Sequence, residues 1–444
     1  MSRDLAGQRV LVVGLGRSGR AAAVLAHRAG GRVVGIDLRQ GLPAIDGVTI
    51  EGGPHRWERF AEADLVVVSP GVPPTQPDLA RAVEAGTEVI GELAFAASFL
   101  DVPMVAITGT NGKSTVTSFT GALLRAAGRN PFVGGNLGSP LCNAILEPAG
   151  WDCAVVEISS YQLERDAGLH PRVGVILNLT PDHLARHGTM DGYAAAKARL
   201  FRHMGPDDLA ILPHGDARLA AAATGHRAAS ATLGALPGVV RDGRRVQLQL
   251  DGAVQEVSLA AVAVPGSHNL DNAATACLLA VAMGARAHEV AQGLPDLRAL
   301  PHRMEVVPTT DGLHWINDSK ATNVDAARAG IAGLDQPAVV LLGGQAKADV
   351  HGALGFAALA SVLQRHRAVL AFGGDAPKIA AELAKEGVAV VNAGSLEEAV
   401  ASARALAVRG DAVLLSPGCA SFDAFADFEH RGRAFAQAAT RSEP

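Results

Sequence analysis

The feature that most constrains the fold is the stretch 104–115, which reads MVAITGTNGKST. Its apolar first half predicts a short buried strand, and the apolar positions that follow at helical spacing predict a helix ending near Gly128. Between the two, Gly109 and Gly112 allow successive backbone N–H groups to point inward beside a helix N-terminus. The stretch therefore predicts a phosphate-binding loop, and we call residues 108–115 the phosphate loop.

The side chains of this loop favour a nucleoside triphosphate as the ligand. Lys113 is placed to reach the β- and γ-phosphates, and Ser114 or Thr115 offers a hydroxyl to Mg²⁺. Only Thr110 and Asn111 separate the two glycines, where the usual loop has four residues. A strand–turn–helix with a chance lysine is the alternative, but the context favours an ATP or GTP site.

Composition narrows the class of protein. A chain of 444 residues predicts two or three domains, and a hydrophobic content of 48% is enough to build full cores. The net charge of −5, without a long basic run, argues against nucleic acid as the main partner. The four cysteines are scattered, which is typical of a protein in a reducing cytoplasm. The N-terminus lacks the apolar core of a signal peptide, and no apolar run is long enough to span a membrane, so we expect a cytoplasmic protein and not a membrane protein.

A second glycine motif lies near the N-terminus. The predicted strand 9–13 leads into Gly-Leu-Gly-Arg-Ser-Gly at 14–19, and the next predicted strand ends in Asp37. This spacing matches the dinucleotide fingerprint, with an acid near the distance expected for a ribose hydroxyl. Taken alone, the motif leaves NAD and other phosphate- or sugar-bearing ligands open. Ser-Pro-Gly at 69–71 follows a further strand, at the edge where ligands bind in such sheets.

The middle region places polar residues after several predicted strands. Glu157 ends one strand and, beside a phosphate loop, is favoured as a Mg²⁺ ligand over an ordinary exposed glutamate. His183 follows the next strand, where a histidine can face a metal or a substrate. Taken alone, the position is more typical of a hydrogen-bonded structural residue. By itself, Lys197 fits a solvated helix face, and Asn269 and Asn272 fit helix caps or base contacts, with capping the default.

The remainder predicts a small β excursion and a last α/β region. Alternating apolar residues around the turn at 251–252 predict a hairpin within 205–265. Beyond a boundary near Pro301, strands alternate with helices and predict a second doubly wound sheet. These strands are expected at 338–342, 368–372, 388–391 and 412–415. The polar stretch 317–323 requires a ligand or a hydrogen-bond network to satisfy it.

Together these strings resemble one family, the Mur ligases of bacterial cell-wall synthesis. The strings span nearly the whole chain in the family's order: GLGRSG at 14–19, SPG at 69–71, TGTNGKST at 108–115, GGNLGSP at 134–140, VVEISSYQLE at 155–164, NLTPDHLARH at 178–187, YAAAK at 193–197, GSHNLDN at 266–272, HRME at 302–305, NDSKATN at 317–323, LLGGQAKAD at 341–349 and LSPGCASFDAFADFEHRG at 415–432. The family shares the shortened phosphate loop.

The resemblance implies an α/β fold of three domains. They are a Rossmann-like UDP-binding domain at 1–95, a central phosphate-loop ATPase domain at 96–300 with a mainly parallel sheet and a small β excursion, and a Rossmann-like amino-acid-binding domain at 301–444. In this setting the glycine motif would face a uridine nucleotide instead of NAD.

The resemblance also implies a set of site residues. The implied ATP-binding residues are Gly109, Thr110, Asn111, Gly112, Lys113, Ser114, Thr115, Asn269, Arg303, Asp318 and Lys320. The implied UDP-substrate residues are Gly14, Leu15, Gly16, Arg17, Asp37, Arg39, Ser69, Gly71, Asn136, Ser159 and His183. The implied glutamate-binding residues are Thr322, Lys347, Ser416 and Phe422. The implied catalytic residues are Lys113, Glu157, His183 and Lys197, and the implied ligands of two Mg²⁺ ions are Ser114, Glu157, His183 and Lys197, the last as a carbamate.

The activity implied is ATP-dependent addition of glutamate to UDP-N-acetylmuramoyl-L-alanine through an acyl phosphate, in peptidoglycan synthesis and hence in cell shape and division. The enzyme is expected to be a cytoplasmic monomer. The choice between D- and L-glutamate stays open. Other Mur-type ligases and folylpolyglutamate synthases remain alternatives, as do a NAD-dependent dehydrogenase and a nucleotide-regulated switch.

Overall fold

The computed structural model describes residues 3–147, 149–346 and 355–441. The chain divides into two compact units. Unit 1 comprises Met1–Leu179, Asp191–Ser258 and Thr275–Gly293, and unit 2 comprises Thr180–Met190, Leu259–Ala274 and Leu294–Pro444. Within the described ranges, no helix combines the length and hydropathy that a bilayer crossing requires.

The first sheet of unit 1 has five parallel strands in the order β3-β2-β1-β4-β5. Its strands are β1 Arg9–Val13, β2 Arg32–Asp37, β3 Val48–Gly52, β4 Leu65–Val68 and β5 Glu88–Gly91. Its helices are α1 Arg17–Arg28, α2 Trp57–Ala61, α3 Pro77–Glu84 and α4 Glu92–Ala97. The order reverses direction at β1, so the glycine motif after β1 lies at the switch point where such sheets bind ligands.

The second sheet of unit 1 has nine strands in the order β14-β13-β12-β11-β10-β9-β6-β8-β7. They are β6 Met104–Thr108, β7 Pro131–Gly135, β8 Cys153–Glu157, β9 Val173–Ile176, β10 Leu209–Pro213, β11 Ala229–Leu233, β12 Gly238–Asp242, β13 Arg245–Gln249 and β14 Gln255–Ser258. The pairs β12–β13 and β13–β14 are antiparallel, and the others are parallel. The predicted hairpin is therefore confirmed as the far edge of this sheet.

Helices between residues 113 and 293 alternate with these strands or, as α11 and α12 do, follow the last of them. They are α5 Lys113–Ala126, α6 Cys142–Leu146, α7 Ser160–Leu163, α8 Leu184–His187, α9 Met190–Ala198, α10 Ala217–Ala222, α11 Ser267–Ala282 and α12 Ala287–Gly293. Every residue of β6 and β8 is buried, as the continuous apolar runs of parallel strands covered on both faces require. The strand and helix predicted around the phosphate loop are confirmed.

Unit 2 contains the third sheet, with six strands in the order β15-β16-β20-β17-β18-β19. They are β15 Glu305–Val307, β16 His314–Asn317, β17 Ala338–Gly343, β18 Ala368–Phe372, β19 Val391–Asn392 and β20 Ala412–Leu415. The pair β15–β16 is antiparallel, and the others are parallel. Its helices are α13 Val324–Ala332, α14 Ala360–Leu363, α15 Ala376–Lys385, α16 Leu396–Leu406 and α17 Phe428–Thr440.

The third sheet is buried on both faces. One core cluster includes Val340, Leu342 and Ile379, and the other includes Trp315, Leu341 and Phe435, so neighbouring residues of β17 point to opposite clusters. The mainly parallel α/β class is confirmed. The strand expected at 388–391 is shorter than predicted and begins only at Val391, because this edge strand pairs on one side and its residues are exposed.

Candidate active site

The phosphate loop of unit 1 curls between the end of β6 and the start of α5. Gly109 has φ +148° and Gly112 has φ +82°, conformations that side chains with a Cβ rarely adopt. A Cβ added to Gly109 would also lie 2.9 Å from the Cβ of Leu177. Glycine is therefore required at both positions for the backbone to form the predicted cradle.

Asn178, at the end of the neighbouring strand β9, supports the short loop. Its Oδ1 accepts from the N–H groups of Thr110 (3.1 Å) and Asn111 (2.8 Å), and its Nδ2 donates to the carbonyl of Asn111 (3.1 Å). The pairing of β6 with β9 sets Thr108 opposite Ile176, which brings Asn178 beside the loop. Sequence reasoning missed this residue, since its only signal was a polar side chain after a buried strand.

Two lysines converge on one carbonyl of this loop. Lys113 donates from Nζ to the carbonyls of Gly109 (2.9 Å) and Thr110 (2.8 Å), and Lys197 donates to Gly109 at 2.8 Å. Lys197 is only 1% exposed, and its Nζ lies 4.4 Å from the centroid of the Tyr193 ring. The interpretation of Lys197 as a solvated face residue is therefore wrong; the end of α9 packs this ammonium into the core.

Glu157 ends β8 next to the loop and is buried. Its Oε2 accepts from the Ser114 hydroxyl at 2.5 Å, and its Oε1 accepts from Asn136 Nδ2 at 2.6 Å. A carboxylate and a hydroxyl are hard oxygen donors of the kind that Mg²⁺ prefers, so this pair fits the ion. Among the described residues, no group of three or more His, Cys, Asp and Glu side chains forms a separate metal cluster.

The glycine motif after β1 is held by Asp37. Its carboxylate accepts from the N–H of Leu15 (2.7 Å), from the N–H of Arg39 (2.9 Å), and from two guanidinium nitrogens of Arg39 (3.0 and 2.9 Å). Arg39 and the two backbone donors hold the pKa of Asp37 well below its usual range. These four bonds fill the acceptor sites of a carboxylate, so Arg39, mostly exposed, is the group of the pair that faces solvent.

Ser69, at the end of β4, closes the other side of the same motif. Its hydroxyl donates to the carbonyl of Gly14 at 2.6 Å, and Gly14 has φ +84°. Gly16 and Gly71 are exposed and Leu15 is buried. Arg17 is exposed and lines a cavity of about 480 Å³ together with Arg20, Ser139 and Asn143.

The segment after β8 carries Ser159 as the cap of a short helix. The Ser159 hydroxyl accepts from the N–H of Gln162, and the Gln162 side chain accepts from the N–H of Ser159 at 2.9 Å. This capping box fixes the backbone directly after Glu157. The implied UDP-substrate residues of unit 1 are thus placed at a strand end or in the loop that follows, except Arg17, which is the first residue of α1.

Asp318, one of the implied nucleotide residues of unit 2, follows β16 and is buried. Its Oδ2 accepts from the Ser416 hydroxyl at 2.9 Å, and its Oδ1 accepts from the N–H of Met304 at 3.3 Å. Burial raises the pKa of Asp318 to about 7, against the lowering effects of Ser416 and the charge of Arg303. Lys320 lies with Nζ 3.7 Å from the centroid of the Phe428 ring.

Asn269 also belongs to unit 2, and the interpretation of this residue as a helix cap is wrong. It is the third residue of α11, is buried, and donates from Nδ2 to the carbonyl of Pro265 at 2.6 Å. Asn272 donates to Asn269 Oδ1 at 3.2 Å. The pair therefore fixes the chain that enters α11.

The residues implied for glutamate lie in different settings within unit 2. Ser416 is completely buried beneath Asp318, and Phe422 is 72% exposed. Thr322 is half-buried in the turn before α13. Lys347 lies outside the described residues.

Arg431, which sequence reasoning missed, braces the loops at this edge of the third sheet. Its buried guanidinium donates to the Ser319 hydroxyl (3.0 Å) and to the carbonyls of Ser319 (2.8 Å), Cys419 (3.0 Å), Ala420 (3.2 Å) and Gly343 (3.3 Å). Burial lowers the pKa of Arg431 to about 10. Three strand-end loops are thus fastened to one side chain of α17.

His183 lies in unit 2, at the start of α8, in a left-handed conformation with φ +56°. Asp182 accepts from the His183 N–H at 2.8 Å, and its Oδ2 lies 3.7 Å from His183 Nε2. The division into units thus assigns the implied metal ligands Ser114, Glu157 and Lys197 to unit 1 and His183 to unit 2.

Comparison with known proteins identifies the class that this fold and these residues define. Three family models match the chain: the MurD-like N-terminal domain of Mur ligases at residues 8–91, the Mur ligase middle domain at 107–280, and the Mur ligase glutamate ligase domain at 302–419. The chain belongs to the Mur ligase family. It is accordingly an ATP-dependent ligase that forms amide bonds in peptidoglycan biosynthesis.

Two relatives are similar to the chain over nearly its full length. UDP-N-acetylmuramoylalanine–D-glutamate ligase from Anaeromyxobacter dehalogenans is 44% identical over 464 residues, with 98% of each chain covered. The enzyme of that name from Myxococcus xanthus is 42% identical over 457 residues, again with 98% of each covered.

Solved structures share the fold. UDP-N-acetylmuramate-alanine ligase MurC from Thermotoga maritima aligns with a TM-score of 0.58 at 19% identity, covering 97% of this chain and 98% of that one. MurF ligase from Thermotoga maritima, solved in complex with ADP, aligns with a TM-score of 0.61 at 16% identity, covering 99% and 96%.

Proposed function

We propose that the chain joins D-glutamate to UDP-N-acetylmuramoyl-L-alanine, with ATP cleaved to ADP and phosphate. The single observation that carries the chemistry is the arrangement at the phosphate loop, where Lys113, Ser114 and Glu157 surround one glycine cradle. Phosphoryl transfer needs positioning and charge neutralisation more than a protein nucleophile, and this arrangement supplies both. The names of the full-length relatives support the choice of substrates.

The reaction begins with a carboxylate, which is a poor electrophile. Transfer of the γ-phosphoryl group to a carboxylate oxygen gives an acyl phosphate, with ADP as the first product. The neutral amine of glutamate then attacks the acyl carbon, a proton leaves the nitrogen, and phosphate departs with the C–O bond electrons. Lys113 and Arg303 are proposed to balance the charge on the moving phosphoryl group, since Lys113 stands in the phosphate loop and the charge of Arg303 acts on Asp318.

Two Mg²⁺ ions are proposed to bind at Ser114, Glu157, His183 and Lys197. Bound there, the ions would neutralise phosphate charge and orient the phosphoryl group. Lys197 takes part only if CO₂ bonds to its Nζ with loss of a proton, because the resulting carbamate offers oxygen ligands where an ammonium offers none. Its burial against Gly109 supports this, since the core otherwise encloses a charged group.

The two other substrates are assigned to the strand ends of the first and third sheets. The UDP-linked substrate is proposed to bind at a set of residues from the first two sheets and the segment with His183, with Asn136 helping to hold the sugar. The set consists of residues 14–17, Asp37, Arg39, Ser69, Gly71, Asn136, Ser159 and His183. Asn269, Asp318 and Lys320 are proposed to contact ATP, and Thr322, Lys347, Ser416 and Phe422 to serve glutamate. Since ATP and a UDP-sugar are the substrates, we place the enzyme in the cytoplasm, and we propose that it acts as a monomer.

A substrate panel tests this function. Purified protein with ATP, Mg²⁺ and UDP-N-acetylmuramoyl-L-alanine is offered D-glutamate, L-glutamate, L-alanine or meso-diaminopimelate, and the nucleotide product is identified by mass spectrometry. We expect an amide product with D-glutamate and one ADP per product. Product with another amino acid alone would assign the chain to a different Mur-type activity.

A further inference from the structure

A short segment of the central region belongs to the compact unit that contains the third sheet. Residues 180–190 fall inside the part of the chain that matches the middle-domain model, 107–280, yet they belong to unit 2. This segment carries His183. The segment with His183 therefore belongs to unit 2, whereas the phosphate loop belongs to unit 1.

Two side-chain hydrogen bonds attach the segment to the start of α13. Asn323 donates from Nδ2 to Asp182 Oδ2 at 3.1 Å, and Thr180 donates from its hydroxyl to Asp325 Oδ2 at 2.9 Å. Asn323 is also the N-cap of α13, because its Oδ1 accepts from the N–H of Ala326 at 2.7 Å. The nitrogen and the oxygen of the Asn323 side-chain amide therefore both form hydrogen bonds.

Asp182 is the centre of this attachment. Its side chain is only 8% exposed, and its second oxygen accepts from the N–H of His183 at 2.8 Å. A left-handed backbone at a residue other than glycine is held only where its surroundings fix it. Asp182 therefore binds the backbone of His183 on one side and the residue next to Thr322 on the other.

We propose that Asp182 is a positioning residue that couples His183 to the turn 318–323, so that the divalent cation and the incoming amino acid strengthen each other's binding. The inference rests on the proposed function, in which His183 serves the cation and Thr322 serves glutamate. Such coupling is reciprocal: the factor by which the cation improves glutamate affinity equals the factor by which glutamate improves cation affinity.

An exchange of the two side chains tests the contact directly. In Asp182→Asn, the new amide nitrogen faces the amide nitrogen of Asn323, so two donors meet. In Asn323→Asp, the helix cap is kept, but the new carboxylate faces the carboxylate of Asp182. The double variant Asp182→Asn with Asn323→Asp restores one donor and one acceptor, and the amide oxygen introduced at position 182 can still accept from the His183 N–H. Asn323→Ser keeps a capping oxygen but is too short to reach Asp182.

We expect each single variant to raise the KM for D-glutamate about tenfold, as loss of one buried charged hydrogen bond predicts, with the KM for ATP nearly unchanged. Mn²⁺ affinity, measured by electron paramagnetic resonance with a non-hydrolysable ATP analogue, should improve on adding D-glutamate in the wild type. That improvement should disappear in the single variants. The exchanged double variant should recover most of both effects.

Arg328→Gln is the matched control, because it removes the pair of the half-exposed Arg328 with Asp325 Oδ1 and keeps the hydrogen bond from Thr180 to Asp325 Oδ2. It should leave both quantities unchanged. The inference is overturned if the double variant is no better than the single ones, or if the variants raise the KM for ATP as much as that for glutamate. It is also overturned if Mn²⁺ and D-glutamate bind independently in the wild type. Failure of the proposed function looks different: the wild-type protein itself would form no amide.

Discussion

At the scale of single residues, the molecule keeps several ionisable side chains in its interior. Glu92, at the start of α4, is buried, and its Oε1 accepts a hydrogen bond from Cys142 Sγ at 3.5 Å. Burial raises the pKa of Glu92 to about 7, well above the ordinary value of 4.5. Such a carboxyl lowers the stability of the folded protein at neutral pH, because folding must either bury its negative charge or keep the group protonated.

Glu92→Gln should therefore stabilise the protein at pH 8. As pH rises from 4.5 to 7, the unfolded chain loses this proton while the folded chain keeps it, so the wild-type free energy of unfolding falls. The variant lacks this slope and should gain up to about 3 kcal/mol at pH 8. Urea denaturation at pH 5 and pH 8 measures the effect, and a variant with the wild-type slope would contradict it.

Asn178→Ala removes three hydrogen bonds from the phosphate loop. Since each bond holds the backbone in its cradle shape, we expect the Kd for ADP to rise by about ten- to a hundredfold, equivalent to about 1–3 kcal/mol. Calorimetric titration with ADP measures it. Asn130→Ala, which loses two exposed bonds to the carbonyls of Ala149 and Gly150, is the matched control and should bind ADP normally. Equal affinities in both variants would remove Asn178 from the support of the loop.

Lys197→Ala should abolish phosphate release, and millimolar acetate or another short carboxylate should restore part of it. The reason is that a small carboxylate can occupy the space left by the side chain and supply the oxygens that a carbamate would supply. Lys113→Ala, measured in the same assay, should not regain phosphate release with acetate, because this variant lacks a cation and a carboxylate cannot replace it. Absence of rescue at Lys197 would contradict the carbamate.

The residues of the site differ in how well their roles can be predicted from the sequence. Glu157 was predicted beside the phosphate loop because a strand end next to such a loop is a known place for an acid. Lys197 was interpreted wrongly, since its helix shows no strong polar face that would separate a buried lysine from a solvated one. Asn178 depends on the register between β6 and β9, which no local pattern encodes.

At the scale of elements, the strands of the three sheets were mostly evident from continuous apolar runs, which parallel strands buried on both faces require. The start of α16 also follows a local pattern, because the Ser395 hydroxyl accepts from the N–H of Glu398 at 3.1 Å. The edge strand β19 was not, because a two-residue strand carries too short a pattern. The hydrogen bonds of Arg431 on α17 could not be predicted either, since they reach loops that are far away in the sequence.

Arg431→Lys should destabilise the protein by about 3 kcal/mol. A lysine ammonium has three donors for the five acceptors that the guanidinium satisfies, and it leaves buried carbonyls unpaired. Chemical denaturation measures the loss. Arg433→Lys, on the exposed side of the same helix, is the control and should change stability little. If the two variants were equally stable, the brace would have no energetic role.

At the scale of the whole molecule, the implied site residues are divided between the two units. Unit 1 holds the phosphate loop, Glu157 and Lys197, and unit 2 holds His183, Asn269 and Asp318. The sequence strings identified the family because they recur in order along the chain, and that order requires no knowledge of packing. The assignment of residues 180–190 to unit 2 could not be predicted, since it depends on contacts between segments that are far apart in the sequence.

The central claim is that a carboxylate oxygen accepts the γ-phosphoryl group of ATP before the amide forms. UDP-N-acetylmuramoyl-L-alanine labelled with ¹⁸O in both oxygens of its alanine carboxylate tests this claim directly. We predict that each molecule of phosphate released with amide formation carries one ¹⁸O atom, detected by mass spectrometry, and that the other label stays in the amide carbonyl. Unlabelled phosphate accompanying the amide, or amide formed without ATP, would contradict the account.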